Sequence, residues 1–295
     1  MASGYHGSAF FSHGFRPFFL GAAVYGGLAI PAWVLILADA GARSAPRDWH
    51  VHEMLFGFLP AVITGFLLTA IPNWTRRAPV KGRPLMLLWA LWLAGRLAVA
   101  LPGPVPLASA CIDGAFLVVV AGMLWRIMAI TRFWGLAPMG ILISLYAGAN
   151  ILFHVRALGG VETDLPERLA LGVVMMLLAF IGGRVTPNFT RDFTVRERLA
   201  ERPAPFSRFD VASLVLVVFA AVAWIVDPQA PGTGWALMAA GFVTLVRLAR
   251  WRGWVTWREP LVLILHVGYG WLSLALLALG GAVLGLGLMT PDAVH

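Results

Sequence analysis

The chain of 295 residues is 60% hydrophobic and only 12% charged, with a mean hydropathy of +0.82. That composition excludes an ordinary soluble domain and makes the lipid bilayer the solvent to reason with. A net charge of +8 would suit a nucleic-acid partner, but the basic residues fall in short loops between apolar runs, a pattern that orients a membrane protein and needs no anionic partner. A single cysteine, Cys111, excludes an intramolecular disulfide, a CxxC metal site and a Cys-held iron–sulfur cluster, and is expected to pack as a small hydrophobe. The N-terminus has no charged region ahead of a short apolar run, so no cleaved secretory signal is expected.

A helix needs about 20 predominantly apolar residues to cross a bilayer. Segments meeting or approaching this are 15–38, 50–72, 85–101, 107–129, 136–158, 167–183, 210–226, 234–250 and 260–283. The chain is therefore predicted to be an all-α, polytopic transmembrane helix bundle of about nine spans, forming one domain over 1–295. Arg76, Arg77, Lys81 and Arg83 follow the second span, and Arg126 and Arg132 mark the fourth. Arg184, Arg191, Arg196, Arg198, Arg202 and Arg208 follow the sixth, and Arg247, Arg250, Arg252 and Arg258 the eighth. The alternate loops hold only Arg43, Arg47, Arg156 and Arg168. The positive-inside rule then places the N-terminus in the cytoplasm and the start of the second span at the outer face.

That start reads Trp49-His50-Val51-His52-Glu53-Met54. Ionisable groups at a membrane edge are expensive and mark candidate sites. At helical spacing His50, Glu53, Met54 and Gly57 share a stripe continued by Ala61 and Gly65, while His52 points elsewhere unless the first turn is still extended. Small residues on that stripe allow close approach of a helix or flat cofactor. Imidazole and thioether bind iron or copper, and a neighbouring carboxylate orients the imidazole. The plainer alternative is a pair of interfacial histidines beside Trp49. In the fifth span Tyr146, Asn150 and His154 recur every four residues and bring His154 to the same depth, either as a ligand or as part of a hydrogen-bond ladder. His50, His52 and His154 are thus the candidate metal ligands, with Glu53, Met54, Tyr146 and Asn150 supporting them.

Near the cytoplasmic face His266 lies two turns into the last span, with Tyr269 and Ser273 on its side. His13 precedes the first span, and Arg184 follows Gly182-Gly183. His266 suits either an axial haem ligand or a buried, hydrogen-bonded histidine; arginines such as Arg184 commonly neutralise haem propionates. His6 carries no usable signal, and His295 sits at a chain end where a ligand is poorly held. Arg96 and Asp113, in spans joined by a short turn, should meet as a structural ion pair, a proton path being the sharper alternative.

Pro72-Asn73-Trp74-Thr75-Arg76 is echoed by Pro187-Asn188-Phe189-Thr190-Arg191 four spans later, which hints at a parallel repeat; read locally, each is a helix stop. Phosphate-binding glycine loops and HExxH are absent, which removes nucleotide binding and zincin chemistry.

The stretches Gly14-Phe15-Arg16-Pro17-Phe18-Phe19, Trp49 to Gly57 and Gly65 to Trp74 resemble the NnrS family, as do Gly183 to Arg191 and Leu265-His266-Val267-Gly268-Tyr269. The resemblance implies a bacterial inner-membrane protein that contains haem and copper and acts in denitrification-linked nitric oxide metabolism or in resistance to nitrosative stress. Members run to about twelve spans, so a chain ending after nine at His295 would lack the later helices. On this reading the partners are the lipid bilayer and nitric oxide or a related small molecule, with no nucleic acid; nothing in the sequence names an electron donor or a catalytic residue. A proton-coupled transporter using intramembrane histidines and the Arg96/Asp113 pair is the alternative, and a structural or regulatory subunit a third reading.

Overall fold

The computed structural model describes residues 8–40, 45–100 and 106–287. His6, Arg43, His295 and most of the turn between Arg96 and Asp113 lie outside the described residues. Among those described, the regular structure is helical and no strand occurs. The helices are α1 (Phe15–Ala40), α2 (Ala45–His52), α3 (Leu59–Thr75), α4 (Arg83–Ala98), α5 (Leu107–Thr131), α6 (Ala137–Leu158), α7 (Asp164–Leu177), α8 (Gly183–Arg196), α9 (Arg208–Val226), α10 (Pro231–Arg250) and α11 (Pro260–Val283).

π-helical turns at Glu53–Phe58 and Leu178–Gly182 fuse α2 to α3 and α7 to α8. Eight of the described helical stretches are then long and apolar enough to cross a membrane, and the chain is a multi-pass membrane protein. The 16 residues of α4, the third expected span, rise only about 24 Å at 1.5 Å per residue, short of a hydrocarbon core about 30 Å thick.

The fold divides into two compact units, with the boundary between Ala170 and Leu171. In the first, Phe18, Phe56, Leu67, Leu85, Leu117, Ile143 and Tyr146 are fully buried. Glycines let the helices close on one another: a Cβ at Gly65 would overlap Phe19, and one at Gly95 would lie 3.2 Å from Asp113 Cα. Outward-facing Leu20, Val24, Leu28 and Leu35 on α1 are exposed, as lipid-facing side chains are. Cys111, expected to pack, is exposed on α5; in a membrane helix an apolar side chain needs no protein neighbour to leave water. The second unit is cored by Val217, Ala220, Trp224, Leu237, Ala240, Trp251, Tyr269, Leu272 and Leu276 from α9, α10, α11 and the turn between the last two. There α10 and α11 meet through Gly234 and Gly280, where a Cβ on Gly280 would lie 2.8 Å from Gly234 O.

Candidate metal centre

The first π-helical turn shapes the site. Pro60 cannot donate to the carbonyl four residues earlier, and its ring crowds that carbonyl in a regular helix. The wider turn spanning Glu53–Phe58 precedes it, with Leu59 N–H bonded to Met54 O. Such a turn leaves carbonyls to be satisfied from outside the helix. Tyr146 O–H donates to Leu55 O, and Trp92 Nε1 donates to Gly57 O at 2.9 Å. The extra residue also shifts the helical phase. His52 and Glu53, neighbours in sequence, both end up buried and inward-facing, at 4% and 0% exposure, so His52 does not point away from the site as regular spacing predicts.

Glu53 is the hub of the buried network. Its Oε2 accepts from Tyr25 O–H on α1 and from Arg96 Nη1 on α4, and its Oε1 lies 2.8 Å from His52 Nδ1. Arg96 carries its other arm to Asp113 Oδ1 on α5, so the pair expected in the sequence is one edge of a larger cluster. Asp113 Oδ2 accepts from Asn150 Nδ2 at 3.0 Å and lies 2.8 Å from His154 Nε2 and 3.2 Å from His52 Nε2. The donor atoms of His52, Asp113 and His154 all lie within 4.8 Å of one another, and all three residues are buried.

Protonation of His52 follows from its neighbours. The Glu53 carboxylate can only accept, so His52 Nδ1 donates to it, and in a neutral ring Nε2 is then left with a lone pair. That nitrogen is buried, makes no hydrogen bond, and faces the Asp113 oxygen 3.2 Å away. A neutral ring and a carboxylate at this distance repel unless a cation, either a proton or a metal ion, joins them. Ligand bonds of about 2 Å from two imidazoles and a carboxylate suit this donor set, and the Glu53–His52 contact is the supporting carboxylate that metal-bound histidines generally have.

Of the other expected ligands, His50 stacks on Trp33 with ring centroids 3.9 Å apart and belongs to a separate contact from the trio. Met54 is half-buried. Tyr146 supports the helix backbone, whereas Asn150 touches Asp113 directly. Sequence reading missed Asp113 as a donor and Tyr25 altogether. The available signal for Asp113 was an intramembrane carboxylate at the depth of His154; Tyr25 has none, because it lies in an apolar helix without polar neighbours at helical spacing.

In the first unit His13 is exposed, with Nδ1 3.1 Å from Ser12 Oγ. In the second unit Arg184 is exposed and His266 is buried. His266 Nδ1 meets Val262 O at 3.1 Å, and Nε2 faces Thr190 Oγ1 at 3.2 Å. The ring also lies under Gly253, where a Cβ would overlap it. The polar centre of this unit is one that sequence reading did not find: Arg247 donates from Nε to Asp210 Oδ1 at 3.0 Å and from Nη1 to Ala179 O and Tyr269 O–H. Asp210 also closes the capping box of Ser207 at the start of α9. The Ser-x-x-Asp spacing is the legible signal, whereas Arg247 stands in the sequence as one basic residue among several after the eighth span.

The NnrS protein family model matches residues 9–295. The chain belongs to the NnrS family. No curated protein and no solved structure matches it. Within this NnrS chain the motif around Trp49 to Gly57 supplies His52, Glu53 and the π-helical turn, and the match runs through Asp113 and His154 as well.

Proposed function

We propose that this NnrS-family protein is a metalloprotein of the bacterial inner membrane, with a metal centre at the outer face held by His52, His154 and Asp113, and that it acts in nitric oxide metabolism or in resistance to nitrosative stress. One observation carries the centre: a buried imidazole nitrogen without a hydrogen bond faces a carboxylate oxygen at 3.2 Å. Copper is the metal the family resemblance favours, and two imidazoles with one carboxylate accept it as well as iron or zinc. The bound ion would supply a Lewis-acidic, redox-capable position. Glu53 fixes the His52 ring, Arg96 holds both carboxylates, and the surrounding helices exclude water.

Haem rests on the resemblance alone. His266 has the backbone-anchored Nδ1 of a ligating histidine, but Nε2 is closed by Thr190 and the ring is covered at Gly253, so the residues as arranged do not fit a haem there. His13 and Arg184 stay candidates for that cofactor on the resemblance only, and His50 for the copper.

A second reading is a proton-coupled transporter, favoured by the run of titratable side chains from half-buried Tyr25 through buried Glu53, His52, Asp113 and His154, with 3.2 Å between His52 Nε2 and Asp113 Oδ2. Metal analysis and an absorption spectrum of the purified full-length protein separate the two. We expect about one metal ion per chain in the wild type, lost in His52→Ala and His154→Ala; a metal-free, colourless protein from a copper- and haem-replete host would sink the metalloprotein reading. A Soret band that disappears in His266→Ala would establish haem on that residue.

A further inference from the structure

Three side chains converge on one oxygen of the first unit's cluster. Asp113 Oδ2 lies 2.8 Å from His154 Nε2, 3.2 Å from His52 Nε2 and 3.0 Å from Asn150 Nδ2. The end of Asn150 that faces the cluster is therefore as close to that oxygen as the two imidazole nitrogens are. Asn150 and His154 stand one turn apart on α6 and share a face. The helix is pinned on either side of Asn150, by Tyr146 O–H on Leu55 O and by His154 against Asp113. Asn150 is 1% exposed, and its Oδ1 is buried without a hydrogen-bond partner. A buried polar atom left unpaired is destabilising, so that oxygen has a reason to find a ligand. The two ends of a carboxamide are nearly equal in size and its terminal torsion is roughly two-fold, so half a turn puts Oδ1 where Nδ2 now points.

We propose that Asn150 supplies the fourth protein donor of this centre through Oδ1, and that the centre is thereby closed to exogenous ligands. The inference rests on the metal-centre reading above. Two imidazoles, a carboxylate and a carboxamide oxygen make a four-donor set, the number that closed metal sites use, whereas sites that act on a bound substrate keep one position open. A carboxamide oxygen is a weak donor that copper sites accept as an axial ligand. A closed centre can pass an electron or fix its helices; it does not take nitric oxide as a ligand. The plainer role for Asn150 is to orient Asp113 through the Nδ2 hydrogen bond. That role needs the amide N–H and not its oxygen, which is the difference an experiment can use.

The test uses the full-length protein loaded with cobalt(II), whose visible bands report ligand exchange without a redox change. Metal analysis establishes loading first. We expect azide to leave the wild-type bands unchanged and to shift those of Asn150→Ala, in which the fourth position is open. Competition with a chelator then separates a donor from an orienting residue. Asn150→Ala should hold cobalt at least about tenfold more weakly than wild type, the scale on which single groups around a metal act. Asn150→Asp keeps an oxygen but has no N–H for Asp113, and should hold cobalt at least as tightly as wild type. Wild-type bands that shift with azide overturn the assignment and leave the metal centre standing, and so do two variants that lose cobalt alike. A wild type that loads no cobalt, copper or iron overturns the metal centre and this inference with it. If Asn150→Ala does not fold, the azide titration of wild type and the cobalt affinity of Asn150→Asp still decide.

Discussion

Arg96 is the residue on which the first unit's polar cluster depends. Its guanidinium bridges Glu53 and Asp113 and lies beneath Gly57, where any Cβ would collide with it. Removing one partner of a buried pair leaves an uncompensated charge and typically costs about 3–5 kcal/mol. Arg96→Met leaves two such charges, so we expect a loss at or above that range, read as a lower unfolding temperature by circular dichroism in detergent. Asp113→Asn should cost less, because Arg96 keeps Glu53, yet it should abolish metal retention. A variant that keeps stability but loses metal separates the ligand role of Asp113 from its ion-pair role, which the paired spacing in the sequence alone does not do. Asp210→Asn probes the equivalent question in the second unit. Asp210 holds both Arg247 and the cap of α9, so its loss should destabilise without touching the metal.

At the scale of elements, the π-helical turn is the device that converts an apolar segment into a site. Regular α-geometry predicts one stripe of His50, Glu53 and Met54; the turn at Glu53–Phe58 instead buries His52 beside Glu53 and offers Leu55 O and Gly57 O to Tyr146 and Trp92. Deleting Leu55 should restore a regular helix and rotate everything before it by about 100° relative to α3. The expected result is loss of metal from a protein that still inserts in the membrane; metal retained at wild-type stoichiometry would show that the turn does not position His52. The fused helix α7–α8 gives a second lesson. Expected to end near 183, it continues to Arg196, because polar Arg184, Asn188 and Arg191 mark where the helix leaves hydrocarbon and not where it stops. The two Pro-Asn echoes therefore differ: α3 ends at Thr75 with Arg76 in the left-handed region at φ 54°, whereas Pro187–Arg191 lies inside α8.

For the whole molecule, the bias of arginine and lysine toward alternate loops is a statement about topology. We expect alkaline phosphatase fused after Val161 to be active and fused after Val80 to be inactive; the reverse pattern would put the His52–Asp113–His154 cluster at the cytoplasmic face. Each unit has its own buried arginine–aspartate pair next to a π-helical turn, Arg96–Asp113 near Glu53–Phe58 and Arg247–Asp210 near Leu178–Gly182. Such pairs hold helices that the hydrophobic effect does not order among themselves in lipid, where tails are as apolar as leucine.

The sequence by itself determined the solvent, the helical class, the number of long apolar segments to within one and the charge asymmetry, because these follow from composition and from 1.5 Å of rise per residue. Only the tertiary structure decided which of those groups meet. Helical phase through the π-helical turn, the reach of Tyr25 and Arg96 to Glu53, and the pairing of Asp210 with Arg247 depend on neighbouring helices and on one extra residue in a turn, which hydrophobic periodicity does not encode.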